Sequence, residues 1–483
     1  MECIRTGFDK ENLMRIFFYG IGRFYQKRRE TLFSLRQGDT ILGFIDKRAA
    51  ECRTFDGAHV YLPEEAVQKD FDAIVVTNAS FCEIKNELRQ QGVAEEKILI
   101  YKAYLAIKGA VERREYGEFG NLQGKKILLA TRSLGYHGGA IALVHAALAL
   151  QGKGYRVTLI SETIDKRLLR EIVKYPIKVI DMSTIRYVSV AQLAFLQAYD
   201  IIVANVFPMV RFAIRAAHWR PVLWWLHECQ DVYPEILDEF TETKDDRLFS
   251  HLRIAAVSKR AQANFEHYYP GRVDTILPYC IPDSGQDFRN APHESVTFAI
   301  IGGVCRRKAQ DVFLQAVALL PRQLKEKAEF RIIGSSDGAD AFSAAVREAA
   351  AREPRVRFCG VLERVEMQEA FRTIDVVVCA SREECLPTTM AEGMMYRKIC
   401  IATDAAGMDD VIESGVNGLI VPTDDAEALA ACMARIIERP ERYGEIREAA
   451  RRMYEAYFTP KHFVQRLTAE LDRTIEGWQG THV

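Results

Sequence analysis

A chain of 483 residues is longer than one hydrophobic core organises, because single cores stop growing at about 250–300 residues. We therefore expect two or three domains. The composition is that of a globular protein, with 48% hydrophobic and 27% charged residues. The formal net charge of −1 excludes a protein that binds nucleic acid, or an anionic membrane, through bulk positive charge.

The sequence also points to a compartment. No apolar run approaches the about 20 residues that span a bilayer, and the richest run, Val222–Leu226, has the length of a strand. The first 13 residues mix charges of both signs and lack the apolar segment of a signal peptide. The 11 cysteines include no C-x-x-C pair, so neither a disulfide framework nor a zinc site is indicated. We expect a cytoplasmic protein.

The first part of the chain has short β-branched runs that alternate with amphipathic stretches, the pattern of parallel sheets covered by helices. It predicts a small Rossmann-like α/β domain over residues 1–111, followed by a linker over 112–124 in which charges and glycines interrupt the periodicity. The predicted strands are Ile16–Tyr19, Thr40–Ile45, Ala73–Thr77 and Lys97–Tyr101.

The same pattern begins again over residues 125–288. A strand at Lys126–Thr131 is followed by a helix over about Gly139–Gln151. Further strands are predicted at Arg156–Ser161, Lys178–Asp181, Asp200–Val206, Val222–His227, Ile254–Ser258 and Thr275–Tyr279.

A third repeat of the pattern spans residues 289–458. Helices at about Ala426–Glu438 and Arg442–Tyr457 follow its strands, and a last helix lies within 459–483. The predicted strands are Val296–Gly302, Phe330–Gly334, Val356–Cys359, Asp375–Ala380, Ile399–Thr403 and Gly418–Val421. Ligands of such sheets bind beyond the carboxyl ends of the strands, so the loops there are the candidate sites.

Two glutamates follow the predicted strand that ends at Ala380. Glu384 lies in a short loop, a helix begins near Pro387 or Thr388, and Glu392 lies about one turn inside it, facing the same cleft. A helix N-terminus attracts phosphate, and carboxylates beside an anion suit neutral sugar or ribose hydroxyls. The alternative is an ordinary helix start with two solvated glutamates.

A glycine turn with three cations follows the first strand of the third unit. Gly303 precedes Arg306, Arg307 and Lys308, whose charges would balance a diphosphate. The spacing is not that of a P-loop, so nucleoside triphosphate hydrolysis is not indicated. A solvated basic loop is the alternative.

Two weaker signals lie in the second unit. Gly138 and Gly139 form a glycine-rich turn between a strand and a helix, and His227 ends a strand. A single histidine at a strand end is more often structural than catalytic, so His227 has both interpretations.

Together these motifs resemble the retaining family 4 glycosyltransferases of the GT-B fold, over about residues 124–472. Glu384 and Glu392 match the E-x7-E motif of that family in the setting Ser-x-x-Glu-x-x-Pro-x-x-x-x-Glu. The resemblance implies an α/β protein with two Rossmann-like domains facing a cleft, preceded here by the small Rossmann-like domain. It also implies that the last helix, within 459–483, crosses back to pack on the second unit. The supporting matches are Gly138, Gly139, His227, Val257, Ser258, Arg331–Gly334, Gly360, Asp375 and Gly415–Gly418.

The resemblance implies roles for these residues. Glu392 would bind the donor ribose, Glu384 the hydroxyls of the donor sugar, and Lys308 the diphosphate, while His227 would lie near the transferred sugar and the acceptor. Gly138 and Gly139 would let their loop close on the phosphates, and Gly360 and Val361 would meet the base. The start of the helix, which would also face the phosphates, comprises Leu386, Pro387, Thr388 and Thr389.

The chain departs from the family pattern at three places. Gly303 stands where the family has an arginine, so Arg306 or Arg307 would have to replace it. Ala309 stands in place of a glycine, and Tyr279 with Cys280 replaces the usual Asn-Gly.

The function that the resemblance implies is glycosyl transfer with retention of configuration. A nucleoside-diphosphate sugar would be the co-substrate, and a glycan, lipid-linked or protein-linked molecule the acceptor, in bacterial cell-surface polysaccharide or glycoconjugate synthesis. No cofactor, metal or nucleic acid is expected. The alternatives are a GT-B nucleotide-sugar epimerase and a non-catalytic nucleotide-sugar binder or scaffold, for which the missing arginine at Gly303 is the best support.

The first domain could carry a nucleotide site of its own. Gly20 and Gly22 form a Rossmann-like turn, and Asp46 ends the second strand, where an acid binds a ribose. Tyr25 replaces the third glycine of the fingerprint. The segment resembles small domains on bacterial polysaccharide-biosynthesis enzymes, and a sensor, a docking module and a relic without a ligand remain open.

A basic cluster in the second unit raises the question of membrane contact. Its residues share a predicted helix, and either a solvated face or peripheral contact with a lipid-linked acceptor at the inner face of the membrane would explain them. They are Arg211, Phe212, Arg215, His218, Trp219 and Arg220.

Overall fold

The structure is a computed structural model that describes residues 13–35, 38–336 and 340–478. Within these ranges, three mainly parallel sheets follow one another along the chain. Their central strands are buried on both faces; every residue of Val222–Leu226, for example, is buried. Continuous apolar runs of this kind are expected where helices cover both faces of a parallel sheet.

The first sheet has the strand order β3-β4-β2-β1-β5-β6, and β3 alone among these described strands runs antiparallel to its neighbour. Its strands are β1 Arg15–Tyr19, β2 Thr40–Ile45, β3 Thr54–Phe55, β4 Ala58–Tyr61, β5 Ala73–Val76 and β6 Ile98–Ile100. Its helices are α1 Arg23–Gln26, α2 Arg29–Leu35, α3 Pro63–Ala66, α4 Phe81–Gln90 and α5 Tyr101–Ile107.

The second sheet has the order β14-β13-β12-β11-β8-β9-β10-β7. Its strands are β7 Arg114–Tyr116, β8 Lys126–Leu134, β9 Arg156–Ile164, β10 Lys178–Asp181, β11 Ile201–Asn205, β12 Val222–Leu226, β13 Leu252–Ala256 and β14 Thr275–Ile276. Its helices are α6 Gly138–Gln151, α7 Lys166–Ile172, α8 Val210–Ala216, α9 Val232–Glu239 and α10 Lys259–Glu266.

The third sheet is parallel, with the order β17-β16-β15-β18-β19-β20. Its strands are β15 Val296–Ile301, β16 Ala328–Ile333, β17 Val356–Gly360, β18 Val376–Cys379, β19 Ile399–Thr403 and β20 Leu419–Val421. The helices are α11 Gln310–Leu319, α12 Arg322–Lys325, α13 Ala341–Arg352, α14 Arg364–Phe371, α15 Thr388–Met395, α16 Ala426–Glu438, α17 Gly444–Tyr457 and α18 Pro460–Gly477.

The last helix, α18, returns from the third sheet to the second. Its Phe463 ring stacks on Trp225 of β12 with a centroid distance of 5.6 Å. Glu470, which is buried, accepts from Arg253 of β13 at 2.7 Å. The helix therefore packs against the domain that precedes the one it follows. Among the described residues, no helix is both long and apolar enough to cross a membrane.

The first domain docks on the second through a buried lysine. Lys85 of α4 donates from Nζ to the carbonyl oxygen of Asp238 at 2.6 Å and pairs with Glu95 at 2.7 Å. Asp238 lies at the C-terminal end of α9, where the last carbonyl groups have no partner within the helix. A cation there satisfies them and is favoured by the helix dipole. Nearby, Lys102 of α5 pairs with Glu162 of β9.

The predicted linker 112–124 contains a strand that the sequence did not reveal. β7 pairs antiparallel with β10 at the edge of the second sheet. All three residues of β7 are exposed, so the apolar alternation that marks a half-buried strand is missing. The short strands β3 and β4 were missed as well.

The basic cluster does not form the solvated face that was one interpretation. Phe212 is fully buried, and Trp219 donates from Nε1 to the carbonyl oxygen of Val190 at 2.7 Å. Arg215 donates to the carbonyl oxygen of Tyr187 at 3.2 Å, and burial lowers its pKa to about 9. These three side chains serve the packing of the second domain, whereas His218 is exposed and lies beyond the end of α8, so the cluster does not share one helix.

Candidate active site

The loop between β18 and α15, here called the Glu384 loop, carries Glu384 and packs against the segment that follows β19. The Glu384 backbone N–H donates to the carbonyl oxygen of Ala405 at 3.0 Å. Gly407 has a φ of +63°, and a Cβ atom there would lie 2.4 Å from the carbonyl oxygen of Cys385. Only glycine permits this approach, so the Glu384 loop rests directly on a neighbouring backbone.

Two cations converge on Glu384. Lys308 pairs with Glu384 Oε1, and Arg307 Nη1 lies 2.6 Å from the same oxygen. Burial opposes the charge on Lys308, but Glu384 outweighs it and the pKa of Lys308 is raised. Burial likewise opposes the charge on Arg307, and Glu384 raises its pKa too. Both cations therefore stay charged beside one carboxylate that has only 11% of its side chain exposed.

The structure distinguishes the two arginines that could replace the one missing at Gly303. Arg307 also donates to the carbonyl oxygen of Glu383 at 3.1 Å, whereas Arg306 is exposed. Arg307 therefore forms a cluster with Lys308 and Glu384, here called the Glu384 cluster, and Arg306 does not take part in it. At Gly303, a Cβ atom would be 3.2 Å from Ser335 Oγ, so a larger residue would press on Ser335.

Arg382 joins the Glu384 loop to the turn Arg306–Lys308, and sequence reasoning did not single it out. Its guanidinium donates to Asp311 of α11 at 2.8 and 3.1 Å and to the carbonyl oxygen of Arg306 at 2.6 Å. Its backbone N–H donates to the carbonyl oxygen of Arg307 at 2.8 Å. In the sequence, only the position of Arg382 next to the E-x7-E motif could have indicated this role.

Ala309, which replaces the glycine of the family, has φ 53° and ψ 44°. This left-handed conformation is one that glycine adopts without strain and alanine does not. Ala309 ends the turn that carries Lys308 and is the residue from which α11 begins. This departure from the family pattern therefore lies in the backbone that orients the Lys308 side chain.

Glu392 lies on α15, partly exposed, and its surroundings differ from those of Glu384. Burial raises the pKa of Glu392 to about 7, and the charge of Arg364 opposes this only in part. No hydrogen bond to its carboxylate occurs among the described residues. A carboxyl group that lacks partners beside a cleft is suited to binding hydroxyl groups of a ligand.

His227 and Glu228 follow β12 on the opposite side of the cleft. Burial, with a smaller contribution from His137, lowers the pKa of His227 to about 3, so its ring is neutral. Its Nε2 is buried without a hydrogen-bond partner in the described chain. The Glu228 carboxylate accepts from the His227 backbone N–H at 2.9 Å, and burial raises its pKa to about 7. Glu228 was not among the predicted site residues.

Gly138 and Gly139 are the first two residues of α6 and lie on the same side of the cleft as His227 and Glu228. A Cβ atom on Gly138 would meet nothing within 4 Å, while one on Gly139 would lie 3.2 Å from Val206 Cγ1. Val206 has a φ of +74°, which is rare for a β-branched residue and marks local strain. The turn is thus open at Gly138 and closely packed at Gly139.

The two domains touch through the Glu384 loop. Glu383 Oε1 accepts from the Gln230 backbone N–H at 2.5 Å and from Asn264 Nδ2 at 3.2 Å. Tyr279, one of the departures from the family pattern, donates its hydroxyl to the carbonyl oxygen of Leu386 at 3.0 Å. Ser258 donates to the carbonyl oxygen of Cys385. The Glu384 loop is therefore part of the domain interface.

The other predicted donor-binding residues lie around this loop. Pro387 is the N-cap of α15, which begins at Thr388 as predicted, and Thr389 and Leu386 flank that start. Gly360 and Val361 lie instead at the end of β17, and Val361 is 66% exposed. β17 is an edge strand of the third sheet, and among the described residues no hydrogen bond or ion pair joins Gly360 or Val361 to Glu384, Arg307 or Lys308.

One group of side chains has the composition of a metal site. Cys229 Sγ and one carboxylate oxygen each of Asp231 and Glu383 lie within 4.8 Å of one another. Glu383 Oε1 already accepts two hydrogen bonds, from Gln230 and Asn264, so protein donors occupy one of the two oxygens of this carboxylate.

In the first domain, the predicted nucleotide residues are engaged with one another. Asp46 accepts from the Ile21 backbone N–H at 3.2 Å and from Arg48 at 3.0 and 3.1 Å. Gly20 has a φ of +100°, and Gly22 has open space where a Cβ atom would lie. The Asp46 carboxylate is thus occupied by protein donors.

Comparison with known proteins adds family matches for each domain. Residues 12–99 match the family model described as C2185-like, N-terminal. Residues 123–268 match Glycosyl-transferase family 4, and residues 295–439 match Glycosyl transferases group 1. The last two segments together cover more than half of the chain.

Individual relatives are similar over parts of the sequence. The D-inositol 3-phosphate glycosyltransferase of Saccharomonospora viridis is 27% identical over 157 residues, which are 31% of this chain and 36% of the relative. The amylovoran biosynthesis glycosyltransferase AmsK of Erwinia amylovora is 24% identical over 189 residues, 38% of this chain and 46% of the relative. The chain thus spans a third to a half of the length of these curated relatives.

A solved structure extends the likeness to the fold. Anabaena HepE in complex with UDP and glucose superposes with a TM-score of 0.62 at 18% identity, covering 72% of this chain and all of that one. Two mainly parallel sheets with the Glu384 loop at the interface of their domains, together with this superposition, define a protein of the GT-B class. The chain belongs to the family 4 glycosyltransferases, which confirms the predicted family and α/β fold.

Proposed function

We propose that the chain transfers a sugar from a nucleoside-diphosphate sugar to a glycan or glycoconjugate acceptor, with retention of configuration and without a metal. The observation that carries the proposal is the convergence of Lys308 and Arg307 on Glu384 beside the N-terminus of α15. Two cations and a helix start suit a diphosphate, and the glutamates suit sugar hydroxyls.

The ligands and roles known for similar proteins support this substrate class. HepE was solved with UDP and glucose and with UDP-glucose. AmsK is described as acting in amylovoran biosynthesis, and another similar structure is the lipopolysaccharide galactosyltransferase WaaB. We extend from these a role in bacterial cell-surface polysaccharide or glycoconjugate synthesis.

The mechanism that we propose depends on stabilising the negative charge of the leaving diphosphate. Negative charge grows on the diphosphate as the bond to the sugar breaks, and preorganised cations stabilise that charge. Lys308, Arg307 and the α15 N-terminus supply this stabilisation. The departing phosphate accepts the acceptor's proton on the same face, which accounts for retention.

His227 acts in this proposal as a neutral hydrogen-bonding group. A pKa of about 3 makes its ring a weak base at physiological pH, so it orients a hydroxyl of the sugar or acceptor through Nε2. Glu392 binds the donor ribose.

The first test identifies the nucleotide. Melting temperature is measured with UDP, GDP, dTDP and CDP in buffer containing EDTA. A ligand at 100 times its Kd stabilises the folded state by about 2.7 kcal/mol, which is readily measured. No shift with any of the four would contradict the donor site.

The second test separates transfer from the alternatives. Lys308→Ala should lower kcat by about 10²–10³-fold, because it removes a donor to the developing charge. The exposed Lys327→Ala is the matched control. An epimerase would release nucleotide without an acceptor alcohol, and a binder would release none. The anomeric configuration of the product, read by NMR, tests retention.

A further inference from the structure

Two thiols meet where the GT-B domains touch. Cys229 follows β12 in the second domain, and Cys385 directly follows Glu384 in the third. Their sulfur atoms are 3.9 Å apart although 156 positions separate them in the chain. A disulfide has an S–S bond of about 2.05 Å, so a shift of about 2 Å would join them.

The surroundings give the two thiols different properties. Cys229 Sγ accepts hydrogen bonds from Arg307 Nη1 at 3.8 Å and from the Cys385 thiol. Arg307 thus places its guanidinium beside Cys229 Sγ. The nucleophile in disulfide exchange is a thiolate. The Cys385 thiol also donates to the carbonyl oxygen of Glu228 at 2.9 Å. The hydrogen bond to Cys229 and burial raise the pKa of Cys385 well above its usual range.

Access to the pair depends on the domain interface. Cys229 is 9% exposed and Cys385 is 3% exposed, and both are covered by residues of the opposite domain. A reagent reaches them when the two domains separate. The pair then closes again when the domains return to the contact seen in the structure.

We propose that Cys229 and Cys385 form a reversible disulfide that fixes the two domains in contact and stops turnover. A low-molecular-weight disulfide, RSSR, is the oxidant. The Cys229 thiolate attacks one sulfur of RSSR, forming a mixed disulfide and releasing RS⁻. Cys385 gives its proton to that RS⁻, and its thiolate displaces the second RS⁻ from Cys229. Two cysteine thiols are oxidised, and RSSR is reduced to two RSH.

The consequence follows from the position of the bond. It would attach the residue next to Glu384 to the loop that carries His227 and Glu228. Because the Glu384 loop forms the interface, the domains could no longer part to admit a donor or release a nucleotide. This consequence for turnover depends on the proposed function, whereas formation of the bond does not.

The test begins with chemistry that needs no activity. The full chain is incubated with oxidised glutathione and EDTA, alkylated, digested without reduction and examined by mass spectrometry. We expect a peptide that links Cys229 to Cys385, and a higher melting temperature that dithiothreitol reverses. Cys305→Ser, which removes an exposed thiol, should behave like the wild type.

Activity gives the second readout. Donor turnover of the wild type should fall at least tenfold on oxidation and recover with dithiothreitol, whereas Cys229→Ser and Cys385→Ser should lose no further turnover. The proposal would be overturned if Cys305 of the wild type carried glutathione but no peptide linking Cys229 to Cys385 formed. Equal inhibition of Cys229→Ser would overturn it as well. If turnover is absent throughout, the linked peptide still decides.

Discussion

Arg382 and Asp311 form a bidentate ion pair that joins the loop of one glutamate to the helix behind the lysine. The two hydrogen bonds measure 2.8 and 3.1 Å. Asp311 lies in the first turn of α11, and Arg382 lies two residues before Glu384. The pair therefore fixes the distance between the groups that would hold the sugar and the diphosphate.

Replacing Arg382 by methionine should lower kcat by about 10–100-fold, because a displacement of about 1 Å at reacting groups costs up to that much. The nucleotide-induced shift in melting temperature should change less than kcat. Arg352→Met, which removes only an exposed pair with Glu348, is the control. A kcat equal to that of the control would show that Arg382 does not position the site.

Glu392→Gln should stabilise the protein more at pH 8 than at pH 5. Below pH about 4.5 the carboxyl is protonated in both the folded and the unfolded chain. Between the unfolded value of 4.5 and the folded value of about 7, the unfolded chain ionises first, so the folded state loses stability as pH rises. Glutamine removes this loss, which is on the order of 2–3 kcal/mol.

Chemical denaturation at both pH values measures this effect as the free energy of unfolding of the variant minus that of the wild type. Glu445→Gln, at an exposed position, should give the same difference at pH 5 and pH 8. A Glu392→Gln difference that stays constant between the two values would show that Glu392 is ionised in the folded protein as readily as in the unfolded chain.

Ala309→Gly should change the free energy of unfolding by less than about 1 kcal/mol. Relief of the left-handed strain, about 1 kcal/mol, offsets the loss of a buried methyl group, about 0.8 kcal/mol. Ala316→Gly removes an equally buried methyl group inside α11 and adds the helix cost of glycine, so about 2 kcal/mol should be lost. Equal losses at the two positions would contradict the strain.

Lys85→Met should lower the free energy of unfolding by about 2–4 kcal/mol, because it leaves Glu95 and the α9 carbonyl groups without their buried cation. Thermal unfolding followed by calorimetry should then separate into two transitions as the first domain detaches. The exposed Lys174→Met serves as the control. One transition at the wild-type temperature would mean that the lysine does not hold the domains together.

Strands buried on both faces were predictable from the sequence. Ile399–Thr403, which is buried throughout, has the predicted bounds, because a continuous apolar run identifies such a strand without knowledge of its neighbours. Thr40–Ile45 also has the predicted bounds, although only its second half is fully buried. The helix Ala426–Glu438 also has the predicted bounds, and Asp425 caps its start. Glu384 lies beside Lys308 because both residues follow adjacent parallel strands, β18 and β15.

Features that depend on distant parts of the chain were not predictable. β7 is exposed on all its residues and exists only because β10 offers an edge. The role of Arg382 depends on Asp311, 71 positions away. The raised pKa of Glu228 comes from burial by other elements, which residue order alone does not reveal.

The contact of Lys85 with the end of α9 has a consequence for how such chains diversify. The ammonium group donates to the last carbonyl groups of a helix that belongs to another domain and so caps that helix. Exchange of the N-terminal module between relatives would leave that helix uncapped unless the incoming module brought its own cation. Recombination should therefore preserve the lysine and the helix end as one inherited unit.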